Sequence, residues 1–271
     1  MSRSSDSDVF LYKDSNMSSG ECHDFGVGTV AVFSRRSPDK SELNEDSAAV
    51  ISVDENTRVL IVADGVGGQP AGAQASAMAV DIISNTIIDN KTPEKKIRDL
   101  ILTGIEEANR KIIAAGNGSA TTLAVAEIHN LLVRTYHVGD SIILITGQRG
   151  KLKMETISHS PTGYAVQSGV LSEEEAIDHD ERHLVSNVVG TEGMHISLSV
   201  QVEMDVRDTL LLATDGLSDN VHRDEIVEMI RKNPLPVCTD RLSTYTMKRM
   251  TENISPSKPD DLTFILYRPA P

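Results

Sequence analysis

The order of hydrophobic patterns predicts an α+β fold with antiparallel sheets. Short apolar runs of strand length recur along the chain, helical periodicity is confined to separate blocks, and strictly alternating βαβ units are missing. No repeat or convincing linker divides the 271 residues after the N-terminal segment. The chain therefore reads as a mobile, Ser- and Asp-rich N-terminal tail, residues 1–25, followed by a single domain, residues 26–271.

VGTVAVFS (27–34) alternates small and apolar residues as a strand does. SAAVISV and TRVLIVAD follow, split by the turn-forming DEN, which is a hairpin signature. The period then changes. In PAGAQASAMAVDIISNTIIDN (70–90), Ala77, Val80, Ile83, Ile87 and Ile88 recur at helical spacing, with Pro70 near the helix start, where its missing N–H costs little. A second helix is expected from Thr92–Pro93 to the stop at GNG. ATTLAVAEI, LLVRTYHV, SIILITGQ and KLKMETI, separated by HN, GD and RG, read as an antiparallel meander. Residues 158–194 read as irregular around a helix-like LSEEEAIDH, and HISLSVQVEM and DTLLLATDG as two more strands. Helices are expected over about 223–232 and 236–253, and DLTFILYR closes the chain as a strand.

Lys and Arg number 26 against 40 Asp and Glu, a net charge of −14. Such a field repels nucleic acid and anionic lipid, so neither is expected as a partner. No window approaches the roughly 20 apolar residues of a membrane helix, and the N-terminus lacks a signal-peptide core. Cys22 and Cys238 have no metal-binding or redox neighbourhood and are expected as free thiols in a cytoplasmic protein.

Carboxylates recur at strand ends. VLIVADGVGG places Asp64 and LLLATDGLSDN places Asp215 directly after an apolar strand and before glycine. RTYHVGDS puts Asp140 in a turn, SKPDDLT puts Asp260 and Asp261 before the last strand, and LNEDSAAV puts Glu45 and Asp46 at the mouth of an early one. Any one of these is ordinary turn chemistry. Brought to one edge, they would repel each other and call for a cation, and an all-oxygen set suits Mg²⁺ or Mn²⁺. Spacing alone leaves both readings open.

The motifs NEDSA, VADGVGGQPAGAQAS, ATTLAVA, HVGDS, HDERHLVSNVVG, LLLATDGLSDN and DDLT, in that order, resemble the metal-dependent Ser/Thr protein phosphatases of type 2C (PPM), in their compact bacterial form. The resemblance covers about residues 26–268. It implies a central antiparallel β-sandwich flanked by pairs of helices (αββα) and a phosphatase domain with two metal ions. Asp64, bridging both ions, Asp215 and Asp260 would be the catalytic residues, and the Gly65 carbonyl would bind one ion. Glu45 and Asp46 would serve the second ion, directly or through water, and Asp140 with Asp215 would suit a third. A water activated by the ion pair would hydrolyse phosphoserine and phosphothreonine in proteins, opposing a Ser/Thr kinase.

Several positions depart from the family pattern. Ser41 stands where an arginine commonly grips the substrate phosphate, leaving Lys40, Arg35 and Arg36 as nearby substitutes. Val66 replaces the histidine of eukaryotic relatives, Asp261 a usual asparagine, and Ile142 a frequent arginine. Residues 158–190 correspond to a variable flap suited to substrate selection, and its His159, His179 and His183 are expected to face solvent. The Ser41 departure favours one alternative, a non-catalytic phosphoprotein-binding module of the same fold.

Overall fold

The computed structural model describes residues 8–38, 40–66, 68, 71–92, 94–177 and 179–270. The chain begins with strands β1 (Val9–Lys13), β2 (Glu21–Asp24), β3 (Gly28–Arg35), β4 (Asp46–Ser52) and β5 (Thr57–Val66), then helices α1 (Ala71–Asn90) and α2 (Ile97–Ala115). Strands β6 (Ala120–Thr121), β7 (Leu123–His129), β8 (Leu132–Val138), β9 (Ile142–Thr146) and β10 (Leu152–Glu155) lead to the short helices α3 (Pro161–Gln167) and α4 (Glu173–Ile177). The rest is β11 (Ser197–Leu198), β12 (Val202–Glu203), β13 (Thr209–Ala213), α5 (Asp215–Ser218), α6 (Arg223–Ile230), α7 (Leu235–Glu252) and β14 (Leu262–Pro269).

Two antiparallel sheets result. One runs β1-β4-β5-β7-β8-β11, with β6 also on β5 and β12 also on β8; the other runs β10-β9-β13-β14-β3-β2. Strand alternation sorts the apolar residues into three layers. Ala48, Val50, Leu60, Val62 and Ala124 pack against Val30, Val32, Ile143, Leu210, Leu212 and Ile265 between the sheets. The opposite parity of the first sheet, including Ala49, Ile51, Val59 and Ile61, packs against Ala79, Val80, Ile83 and Ile87 of α1 and Ile101 and Ile105 of α2. Phe33, Leu144, Leu211 and Phe264 of the second sheet face α6 and α7. This is the expected αββα sandwich.

Several local expectations change. Residues 1–25 are not all tail: β1 pairs with β4 and β2 with β3. In VFLYK, Phe10 and Tyr12 join the layer between the sheets. An edge strand needs only one buried face, so five residues suffice and the surrounding Ser and Asp hide it. The meander is also broken. β7–β8 and β9–β10 are hairpin pairs, but β8 and β9 lie in different sheets, so Gly139–Asp140 is a crossover and not a hairpin turn. Gly139 has φ 108°, and a Cβ there would lie 2.7 Å from the Thr122 side chain.

The buried stripe of α1 is centred on Ala75, Ala79, Ile83 and Ile87, while Ala77 and Ile88 are half-buried. α2 starts at Ile97, later than expected; Pro70 and Pro93, like residues 1–7, lie outside the described residues. HISLSVQVEM yields only β11 and β12, which meet β8 separately. The segment read as irregular contains α3, whose N-cap Ser160 accepts from Gly163 N–H before Pro161 at the first turn. Cys22 and Cys238 are free thiols. Among the described residues, no helix is long and apolar enough to cross a membrane.

Candidate active site

The alternation that builds the inter-sheet layer also aims the first two carboxylates. Asp46 continues the parity of Ala48 and Val50, Asp64 that of Leu60 and Val62, and the β4–β5 register sets them opposite each other. Asp46 is 1% exposed. Its Oδ2 accepts from Thr214 Oγ1 at 2.9 Å, a bond that ties the end of the first sheet to the end of β13. The Asp64 backbone is fixed by neighbours on the next strand. Its N–H donates to Thr122 Oγ1 at 3.1 Å, and its carbonyl accepts from Thr121 Oγ1 and Thr122 N–H, both at 2.8 Å.

Gly65 N–H donates to Glu45 O at 3.1 Å. A Cβ on Gly65 would lie 2.2 Å from Gly72 O, because the first turn of α1 rests on it. The resemblance implies that the Gly65 carbonyl binds an ion; the structure adds a packing requirement for glycine at that position.

The second sheet brings the remaining acids. Asp215 opens α5 straight after β13, Asp260 precedes β14, and Asp140 lies at the crossover into β9. Asp219, one helical turn beyond Asp215, joins them. The Lys258 ammonium donates to Asp215 Oδ2 at 2.8 Å and to Asp219 Oδ2 at 2.7 Å, with Asp260 Oδ2 at 3.5 Å. Lys40 does the same nearby, donating to Glu45 Oε2 and Asp261 Oδ2, both at 2.7 Å. Asp261 also accepts from Ser37 N–H at 2.8 Å and Glu45 N–H at 2.7 Å. Its carboxylate, where the family pattern has an amide, thus takes three donors and ties the NED segment to the last strand. Arg36 points elsewhere, donating to Ser41 O and Glu42 O.

Burial and mutual repulsion dominate the electrostatics. Burial, then the Asp261 charge, pushes the Asp46 carboxyl well above the ordinary range. Burial, then Asp215, Asp46, Asp260 and Asp140, does the same to Asp64. Burial followed by the Asp215 charge raises Asp140 to about 8, Asp260 to about 7 and Asp219 to about 6. Burial opposes the charge on Lys258, but Asp215 and Asp219 outweigh it and hold the ammonium protonated. The five acids Asp46, Asp64, Asp140, Asp215 and Asp260 therefore lie within one another's fields.

The donor chemistry fits a hard divalent cation. Asp46 Oδ1 and Glu45 Oε1 are buried with no hydrogen-bond partner, which is costly unless a cation or water completes them. Among the described residues, no three carboxylate, imidazole or thiol groups close to metal-ligand geometry as they stand. The Lys258 and Lys40 ammoniums instead draw several of the acids toward themselves. The orphaned oxygens and crowded like charges weigh more here than that lack of closure, because side-chain rotation alone changes closure, whereas the backbone positions set the crowding.

A cleft of about 1070 Å³ opens beside the acids, and Asp140, Asp215 and Asp219 line it. The flap contributes Ser160, Gly163 and Arg182 to its walls, and α6 contributes Arg223. His159 is buried, contrary to the expectation that the flap histidines face solvent; His179 is half-buried and His183 exposed. His159 Nδ1 accepts from Gly139 N–H at 3.1 Å and Asn187 Nδ2–H at 2.8 Å, which pins the flap to the crossover beside Asp140. Burial, then the neighbouring His195, lowers the His159 imidazole to about 4, so it stays neutral. Sequence reasoning missed Asp219, Lys258 and the anchoring role of His159. The helical spacing of Asp215 and Asp219 in TDGLSDN was the available signal for the first.

A family model described as Protein phosphatase 2C matches residues 36–254. The Serine/threonine phosphatase stp of Listeria welshimeri is 31% identical over 196 residues, covering 69% of this chain and 77% of the relative. The crystal structure of Stp1 from Staphylococcus aureus aligns with TM-score 0.77 and 25% identity over 88% of this chain and 94% of that one. The catalytic domain of the phosphatase PstP, solved in complex with 2 manganese ions, aligns with TM-score 0.70 and 23% identity over 89% of this chain and 98% of that one. With the acid cluster at the expected sheet edge, the chain belongs to the protein phosphatase 2C family, the metal-dependent hydrolases of phosphoserine and phosphothreonine.

Proposed function

We propose that this chain works with two divalent ions, Mn²⁺ or Mg²⁺, held by Asp46, Asp64, Asp215, Asp260 and the Gly65 carbonyl, with Glu45 ordering water beside them. The observation that carries this reading is the pairing of Asp46 with Asp64 in register, within the field of Asp260, with Asp46 Oδ1 left unpartnered. Ions held there supply a water acidic enough to attack phosphorus near neutral pH and neutralise charge on the phosphoryl oxygens. The manganese in the PstP structure supports the choice of metal.

The chain's own groups do the rest. Asp46 and Asp64, fixed by ladder register, set where the phosphate must sit. Lys40, next in sequence to the vacant arginine position Ser41, swings from Glu45 and Asp261 to the substrate phosphate. It contributes a point charge in place of the bidentate fork of arginine. With Lys40 in that place, the Ser41 departure no longer favours a non-catalytic module. Val66 has no ionisable proton, so the leaving Ser or Thr oxygen takes its proton from solvent in the cleft and departs as the hydroxyl. The flap, pinned through His159, forms the wall against which the substrate peptide lies. The protein belongs in the cytoplasm and opposes a Ser/Thr kinase, acting on phosphoproteins and not on nucleic acid or membranes; the net charge of −14 supports both exclusions.

The test is hydrolysis of a phosphothreonine peptide panel. Phosphate should be released with Mn²⁺ and not with EDTA. Peptides bound but left intact under all metal conditions would overturn the reading.

A further inference from the structure

We propose that the Lys258 ammonium is a tethered third cation of this centre, standing in for a third divalent ion beside Asp140 and Asp215, so that the protein binds two ions. The inference rests on reading the carboxylates as a divalent-ion site. The resemblance assigned a third ion to Asp140 with Asp215, but the structure places a permanent positive charge on Asp215, within the field of Asp140.

Lys258 Nζ lies within 2.8 Å of Asp215 Oδ2 and 2.7 Å of Asp219 Oδ2, with Asp260 Oδ2 at 3.5 Å. The same ammonium partly offsets the repulsion that raises Asp140. This lysine is not a loose surface side chain. Its backbone is clamped on both sides by Asn220, which is fully buried: Lys258 N–H donates to Asn220 Oδ1 at 2.7 Å, and Lys258 O accepts from Asn220 Nδ2–H at 2.8 Å. The second Nδ2 bond of Asn220, 2.9 Å to Gly216 O, locks the clamp to α5, which opens at Asp215 and is capped by Asp219. The loop and the acids thus move as one piece, and the ammonium is delivered to the same three carboxylates each time the chain folds.

A divalent ion held by Asp140 and Asp215 would have to share Asp215 with an ammonium already hydrogen-bonded to it. Like charges so placed repel strongly in a partly buried site. A cation that arrives with the chain loses no translational freedom on binding, so it wins over a weakly held ion. Asp219 fits this reading, since its Oδ2 accepts from the same ammonium at 2.7 Å.

The test counts bound Mn²⁺ from the loss of free-ion electron paramagnetic resonance signal during titration, up to millimolar metal. Wild type and Lys258→Arg should each bind two ions. Lys258→Met, which keeps the length and loses the charge, should bind three, and should melt lower than wild type in EDTA because three acids lose their counter-ion. Circular dichroism checks folding, and Lys258→Gln replaces Lys258→Met if the latter fails to fold. Three ions in wild type, or two in every variant, would overturn the proposal while leaving the two-ion centre intact. Binding of no ion by any variant would overturn the centre and the proposal together.

Discussion

On the first sheet, Asp46 and Asp64 face each other inside an unbroken β ladder, whereas on the second sheet Asp215 and Asp260 stand just outside theirs, one opening a helix and the other preceding a strand. Among the described residues no ammonium is bonded to Asp46 or Asp64: Asp46 Oδ1 is buried and unpartnered, and its Oδ2 accepts from the neutral Thr214 hydroxyl. On the second side Asp215 already shares Lys258 with Asp219, and Asp260 lies at its edge. The difference teaches how one cluster can be both rigid and tolerable. Ladder register, set by many backbone bonds, can hold like charges together; loops cannot, and there a lysine is built in to keep the acids from spreading.

The sharpest way to break this comparison is Asp64→Ala. Removing the carboxylate that sees Asp46, Asp215 and Asp260 together should cut turnover at least about a hundredfold, the scale of losing one group that stabilises transition-state charge. Circular dichroism should be unchanged. A rate within a factor of a few of wild type would show that the first-sheet pair is not the rigid half of the centre.

Lys40→Ala should have a smaller effect. It removes a charged hydrogen-bond donor to the phosphate, about 1.5–3 kcal/mol, and should lower kcat/KM by about tenfold to a hundredfold. Most of the change should fall in KM, and Lys40→Arg should recover part of it. No change in either constant would return the phosphate grip to another residue.

The smallest effect is in stability. Asp140, Asp260 and Asp219 titrate near 8, 7 and 6 in the folded chain, above the ordinary carboxylate range, with burial and the Asp215 charge as the causes. An acid whose folded value is raised contributes stability that is present at low pH and lost as pH rises through that value. The melting temperature in EDTA should therefore fall by a few degrees between pH 5 and pH 8.5, and saturating Mn²⁺ should remove the slope. A flat or rising curve in EDTA would mean that the second side is fully neutralised by Lys258.

Much of the architecture was legible because strand alternation and helix period are local signals. SAAVISV-DEN-TRVLIVAD announced the β4–β5 hairpin, and that hairpin alone dictates that Asp46 and Asp64 share a face. The strand-Asp-Gly pattern at Asp64 and Asp215 likewise pointed to two strand ends. Less was legible where context decides. VFLYK is too short to stand out from its Ser-rich surroundings, and only the apolar layer waiting beside β4 makes it a strand. The GD pair at 139–140 matches a hairpin turn, and only packing against Thr122 sends the chain across to the other sheet. The start of α3 is signalled by Ser160–Pro161, the same cap-then-proline pair expected near Thr92, but the helix is too short for a period to show in the sequence.

By itself the sequence determined the order of elements, their buried faces and the all-oxygen character of the acid set, because each depends on residues within a few positions of one another. Only the tertiary structure decided that Asp140 marks a crossing between sheets, that His159 pins the flap, and that Lys258 lies among Asp215, Asp219 and Asp260. Lys258 is forty-three residues from Asp215 along the chain, and no local pattern reports a distance that the packing of one sheet on another sets.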